Sequence, residues 1–396
     1  MMNLKNLTLI LIYLFSGLVI AQVEKTPNQV GETITIESEI LNEKREIQIF
    51  LPVSYNESDE TYPVLYVLDG QRYFLHAVSL HQSFTGFKQT PEFIVVGITK
   101  TRSERNRNFS SNSKNYLNHI EQDIIGYVDS NYRTSSKRLL FGWAFAGGFT
   151  TQAMIYKPVL FDAYIAASPF PLSQKINAID SLLEKNPNFD KFFYFSSDVN
   201  EGSVVEGTHT LDSLLKAKAP KAMNWTFKAF TGEEHRSTPF STLYHGISNY
   251  FKYYPELQFN NLQSFINSGG LDYVYDYYEK RASLYGFSPD LSDWTMFSIT
   301  RNAMRADDYV QFEALFKAFE STGFISRLRI SRACSIAEFF SKKEQYTKAI
   351  ELFTILAEKH PESSRPLQGL GDAYKALGQN DKATLFYEKA KKLSED

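Results

Sequence analysis

The residues best placed to do chemistry in this 396-residue chain gather in LLFGWAFAGGF, Leu139 to Phe149. A short apolar run, Leu139 to Phe141, breaks into small residues. A helical pattern through Phe149, Ala153, Met154 and Tyr156 follows, so the segment predicts strand, sharp turn and helix. That is the outline of a nucleophile elbow, in which G-x-S-x-G holds a serine on a strained turn for acyl transfer. In this register the chain reads Gly142, Trp143, Ala144, Phe145, Ala146, Gly147. Ala144 has no oxygen to deprotonate, so the elbow is expected without its nucleophile.

Such a turn must be held by a sheet, and the flanking sequence supplies one. Thr33 to Glu39 and Glu46 to Leu51 alternate with the two-residue period of exposed antiparallel strands. Tyr62 to Gly70 and Glu92 to Ile98 are continuous apolar runs, which suit central strands covered on both faces. Helical patterns fill Tyr73 to Phe84 and Tyr116 to Tyr132. Beyond the elbow, strand-like runs at Asp162 to Ala167, Lys191 to Phe195 and Trp225 to Phe230 alternate with helices near Ile176 to Glu184, His209 to Lys216 and Thr238 to Tyr253. This alternation specifies an α/β sandwich with a mainly parallel sheet, and ligands in that architecture sit at the carboxyl ends of strands.

Composition narrows the function. With 43% hydrophobic and 22% charged residues the chain can bury a large core, and its 32 Phe and 24 Tyr are read as core filling. A formal charge of −3 provides no basic face, so nucleic acid is excluded as a partner. Met1 to Ala21 carries Lys5, an apolar run from Leu7 to Ile20 and a small-residue cleavage site, and reads as a secretory signal peptide. The run is too short for a permanent span, so no membrane span is expected after cleavage. The mature chain is expected in a periplasm or outside the cell. Cys334 is the only cysteine, lies in an apolar helical stretch, and is expected to be a buried thiol.

Residues Thr33 to Tyr254 resemble the esterase D-like and siderophore-esterase family of α/β-hydrolases. The likeness is carried by YPVLYVLDGQRYF, by PEFIVVGI followed by RNRNFS, by YVDSNYRT, by the elbow FGWAFAGGF with KPVLFDAYIAASP after it, and by FTGEEHRS. The resemblance implies a carboxylic-ester hydrolase with His235 as general base and a carboxylate after the strand Lys191 to Phe195 as its partner. Both Asp198 and Glu201 qualify, and the spacing to His235 favours Glu201. Acyl transfer also needs two backbone N–H groups aimed at the developing charge. Phe145 is expected to supply one, and the turn at Gly70 and Gln71 the other. Loop residues Arg105 and Arg107, with Trp143, are candidates to line the cleft and meet polar or anionic substrate groups. No cofactor or metal is expected.

The departures from the family pattern are specific. Ala144 replaces serine, Trp143 stands where the family often has histidine, and Ala146 replaces the second motif glycine. Three changes together read as drift away from catalysis, so a weak or inactive hydrolase is expected. The alternative is a binding protein on a hydrolase scaffold, taking an ester, a siderophore-like ligand or a partner protein.

From Leu262 onward the chain reads as helix after helix. Ile336, Phe340, Ala349 and Phe353 recur at a period of 34 as Leu370, Tyr374, Ala383 and Tyr387, with Gly371 and Ala390 fitting the same template. This resembles tetratricopeptide repeats, an all-α helical-repeat domain that offers a groove to a peptide or protein partner. The expected layout is a signal peptide at 1–21, an α/β-hydrolase domain at 22–255, a helical connector at 262–330 and two repeats at 331–396.

Overall fold

The apolar runs of the sequence form the middle of an eight-stranded sheet. The computed structural model describes residues 28–100, 102–321 and 323–395; the expected signal peptide lies outside them. The strands are β1 (Glu32–Ser38), β2 (Glu43–Phe50), β3 (Tyr62–Leu68), β4 (Ile94–Ile98), β5 (Thr134–Trp143), β6 (Ala163–Ala167), β7 (Phe192–Asp198) and β8 (Asn224–Phe230). They lie in the order β1-β2-β4-β3-β5-β6-β7-β8. Only the β1/β2 and β2/β4 pairs are antiparallel. The other pairings are parallel, with Leu139 of β5 opposite both Leu65 of β3 and Ala163 of β6. Burial follows the pattern: all five residues of β4 and β6 and all seven of β7 are buried, whereas β1 alternates on a half-solvated edge.

Helices cover both faces. They are α1 (Gly70–Gly86), α2 (Arg102–Phe109), α3 (Ser113–His119), α4 (Gly126–Asn131), α5 (Phe145–Tyr156), α6 (Ile176–Lys185), α7 (Ser203–Lys218) and α8 (Thr238–Tyr250). A π-helical turn, Ile120–Ile125, joins α3 to α4. Ile120, Ile124, Ile125 and Val128 on that stretch pack into the same core as Leu140, Phe149 and Tyr164.

The chain divides into two compact units. One holds residues up to Ser79 together with Phe93–Leu243; the other takes Leu80–Glu92 and everything from Tyr244. The second unit is all-helical after α8: α9 (Leu262–Asn267), α10 (Gly270–Tyr285), α11 (Asp293–Arg305), α12 (Tyr309–Glu320), α13 (Phe324–Arg327), α14 (Ile330–Lys342), α15 (Tyr346–Lys359), α16 (Ser364–Ala376) and α17 (Asn380–Glu395). Side chains cap several starts: Asn261 accepts from Ser264 N in a capping box, Ser292 from Thr295 N and Asp308 from Gln311 N. Its core runs from Leu262 and Val274 through Phe312 and Phe340 to Leu370, and Cys334 is buried within it. Among the described residues no helix is long and apolar enough to cross a membrane.

Candidate active site

At the carboxyl end of β5 the chain turns abruptly into α5. Ala144, between them, has φ 55° and ψ −117°, a conformation that L-residues rarely adopt and that is held only where the surroundings dictate it. The surroundings do so here. Its N–H donates to the Ala167 carbonyl at 2.9 Å, and its own carbonyl accepts from Gly148 N at 2.9 Å and Phe170 N at 3.0 Å. Close packing falls on neighbouring glycines: a Cβ on Gly147 would stand 2.7 Å from the Ala167 oxygen, and one on Gly142 2.6 Å from Thr150 Oγ1. Ala146 is fully buried, so its methyl is accommodated; the tight approach that the motif assigns to position 146 is made by Gly147. The elbow backbone is intact, and its side chain is a methyl group.

Beside it stands a paired histidine and carboxylate. His235, in the loop after β8, has its Nδ1 3.1 Å from Glu201 Oε1. The Glu201 side chain is 5% exposed and the imidazole 44%, so the pair presents the ring and conceals the carboxylate. Glu201 Oε1 also accepts from Ser168 Oγ at 2.9 Å, and Ser168 Oγ lies 2.7 Å from Thr238 Oγ1. Ser168 and Thr238 are fully buried, and Thr238 Oγ1 in turn donates to the His235 carbonyl at 3.2 Å. With Nδ1 committed to Glu201, Nε2 is the ring atom left to exchange a proton.

Asp198 is placed differently. It is the last residue of β7, buried, and its Oδ1 accepts from Asn200 N at 2.9 Å; among the described residues no hydrogen bond joins it to His235. The strand outruns the sequence-predicted end at Phe195 and takes Asp198 into the sheet, so the first carboxylate freed to turn toward the histidine is Glu201.

A cavity of about 460 Å³ opens here, lined by Arg105, Trp143, Ala144, Phe145, Phe170, Glu201, Ser203, Val204 and His235. Phe145 is the first residue of α5, where backbone N–H groups have no intrahelical acceptor and the helix dipole favours negative charge. Trp143 packs its indole 4.8 Å from the His235 ring and donates Nε1–H to the His235 carbonyl at 2.8 Å. Arg105 is not in a loop but on α2, whose sequence RSERNRNF has no apolar periodicity to announce a helix. Its Nε donates to Asp69 Oδ1 and Oδ2 at 3.1 and 2.9 Å, and its Nη2 to the Trp143 carbonyl at 3.0 Å.

A second cavity, about 630 Å³, shares Arg105 and Trp143 and adds Asp69, Gln71, Arg72, Lys100 and Asn106. Gln71 therefore lines this neighbour and not the elbow cavity, and Gly70, the first residue of α1, lines neither. Arg107 points elsewhere, to Glu43 at 3.1 Å. Beneath Asp69 lies Lys100, its side chain wholly buried, its Nζ 3.9 Å from Asp69 Oδ1 and 3.1 Å from the Phe109 ring centre. Burial pulls the Lys100 amine down to about 7, with Asp69 opposing the shift. Ser168, Thr238, Asp69 and Lys100 were not readable as site residues; the LDG and AASP runs that carry Asp69 and Ser168 at strand ends were the available signals. Among the described residues no group of His, Cys, Asp or Glu could hold a metal ion.

The mainly parallel sheet with helices on both faces agrees with what the chain is similar to. Over residues 38–229 it matches the Putative esterase family. Ferri-bacillibactin esterase BesA of Bacillus subtilis (strain 168) is 23% identical over 235 residues, 50% of this chain and 81% of BesA. Uncharacterized protein YbbA of the same organism is 24% identical over 133 residues, which is 30% of this chain and about half, 53%, of YbbA. An IroE-like serine hydrolase from Shewanella oneidensis superposes with a TM-score of 0.55 at 24% identity, over 73% of this chain and 99% of that one. An uncharacterised protein from Capnocytophaga ochracea DSM 7271 gives 0.57 at 17% identity, over 91% and 93%. The first unit thus carries an esterase-like scaffold of the α/β-hydrolase fold, followed by an all-helical region.

Proposed function

We propose that this protein is an exported ester-recognising member of the esterase scaffold, weak or inactive as a hydrolase because Ala144 stands at the nucleophile position. The observation that carries the reading is the Glu201–His235 pair at 3.1 Å, sharing one cavity with an alanine in elbow conformation. In this reading Glu201 is the acid, His235 the base and the Phe145 amide one oxyanion donor, and the attacking oxygen is missing. A water activated by His235 provides residual turnover; triads stripped of a member keep roughly 10³ to 10⁴-fold catalysis over water. The ligand is a small carboxylic ester. A siderophore-like ester is the class suggested by the similarity to BesA, and Arg105 is the residue to meet its polar groups.

The helical region fits a partner-binding role on the same chain. Helix α16 begins 34 residues after α14, and α17 begins 34 after α15, which supports two tetratricopeptide-like repeats with a groove for a peptide or protein.

The test is p-nitrophenyl acetate hydrolysis by the purified chain beside Ala144→Ser and Ala144→Ser/His235→Ala. Turnover that appears with the serine and disappears again with the histidine supports the reading. A well-folded serine variant as inert as its parent overturns it.

A further inference from the structure

The elbow cavity has donors in surplus and, at residue 144, no nucleophile to occupy them. Arg105 is fixed by three hydrogen bonds through Nε and Nη2, while Nη1 has no acceptor among the described residues and its side chain is 18% exposed at the cavity wall. Lys100 Nζ lies 3.9 Å from the Asp69 carboxylate that anchors Arg105. The Phe145 N–H opens α5, a helix of 12 residues, and the peptide dipoles behind it favour an anion. Trp143, Phe145, Phe170 and Val204 supply apolar wall, with Phe145 and Phe170 edge-to-face at 5.5 Å, beside the polar Ser203 and His235.

We infer that the elbow cavity of this chain takes a hydrophobic carboxylic acid in its ionised form in preference to the corresponding ester, with the carboxylate on Arg105 Nη1 and the Phe145 amide and the apolar body against Trp143 and Phe170. This deepens, and rests on, the reading of the elbow mouth as the ligand site. An ester offers these donors one neutral carbonyl oxygen. A carboxylate offers two oxygens sharing a full charge, and such charge-assisted bonds are roughly twice as strong as neutral ones. In a hydrolase the serine oxygen would stand where the second carboxylate oxygen has room, beside the Ala144 methyl. The Glu201 carboxylate, the acidic side chain lining the cavity, is only 5% exposed, and its Oε1 is engaged by Ser168 and His235 while Oε2 is buried.

The probes are 3-phenylpropanoate and methyl 3-phenylpropanoate, matched in body, titrated by calorimetry into the full chain. The acid is expected to bind at least tenfold tighter than the ester, and Arg105→Met to bring the two affinities within twofold of each other. Because Arg105→Met also removes a partner from Asp69, the unmodified protein supplies a second readout: the ¹⁵N–¹H signal of the Phe145 amide shifts with the acid titration. Equal or tighter ester binding, or acid binding that leaves the Phe145 signal unmoved, overturns the inference. Those outcomes are separate from the serine-variant assay, which alone judges the elbow as a ligand site: gained turnover with no acid preference leaves that reading standing and removes this one.

Discussion

The indole N–H of Trp143 donates to the backbone carbonyl of His235 at 2.8 Å, while the two rings pack 4.8 Å apart. Trp143 thus fastens the loop that carries His235. Trp143→Phe keeps an aromatic wall and removes the bond. It is expected to destabilise the chain by about 0.5–1.5 kcal/mol in denaturant unfolding and to broaden the His235 ring signals. Unchanged unfolding and unchanged ring signals would show that the bond holds nothing.

The two candidate carboxylates separate cleanly by mutation. In the Ala144→Ser background, Glu201→Gln is expected to lower kcat by roughly 10² to 10⁴-fold, the scale of neutralising a triad acid. Asp198→Asn should stay within a few-fold, because Asp198 caps Asn200 N and makes no bond to His235 among the described residues. Steady-state kinetics that rank the two the other way round would transfer the acid role to Asp198.

At Ala144 the backbone sits where glycine is far more comfortable, φ 55° and ψ −117°. Such strain is worth on the order of 1–3 kcal/mol, offset by roughly 0.5–1 kcal/mol for the extra freedom of glycine in the unfolded chain. Ala144→Gly should therefore raise stability by about 1 kcal/mol. Guanidinium unfolding showing a loss instead would mean that the methyl contributes packing exceeding the strain.

Lys100 makes a pH-dependent prediction. Its amine is lowered to about 7 in the folded chain, chiefly by burial, against 10.5 when unperturbed. Between these values the unfolded chain binds the extra proton, so stability rises with pH across that window, and the cost of burying the ammonium is felt in full below about 7. The charged groups acting on it are Asp69 and Glu104, which favour the ammonium, and Arg105 and Arg45, which oppose it; the Tyr116 ring stands 5.0 Å away. The stability of the parent relative to Lys100→Met should climb from pH 6 to pH 9.5 in parallel melts. A flat difference would place the Lys100 titration outside that range.

Much of this was written in local patterns. Continuous apolar runs marked β3 and β4, alternation marked the β1 and β2 edge, and the break from Phe141 into small residues marked the elbow. Helix α2 was invisible because RSERNRNF has no apolar face, and with it went the placement of Arg105 above Asp69 and of Arg107 toward Glu43. Asp198 and Glu201 lie three residues apart on either side of a strand end, and only the strand's true length decides which one is free to turn. Ser168 and Thr238 were silent for another reason: a hydroxyl is informative only once it is known to be buried, and both earn their place by what they touch across some 70 residues of chain.

Because the main-chain bonds of Ala144 and the neighbouring glycines set the elbow, the side chain at that position is a free variable. This chain and its serine counterpart would form a pair differing by a single oxygen atom in an otherwise common framework. The difference between their rates, measured on one substrate, isolates what an attacking atom contributes on a framework otherwise unchanged, a subtraction that deleting a serine from a working enzyme approaches only from the other side.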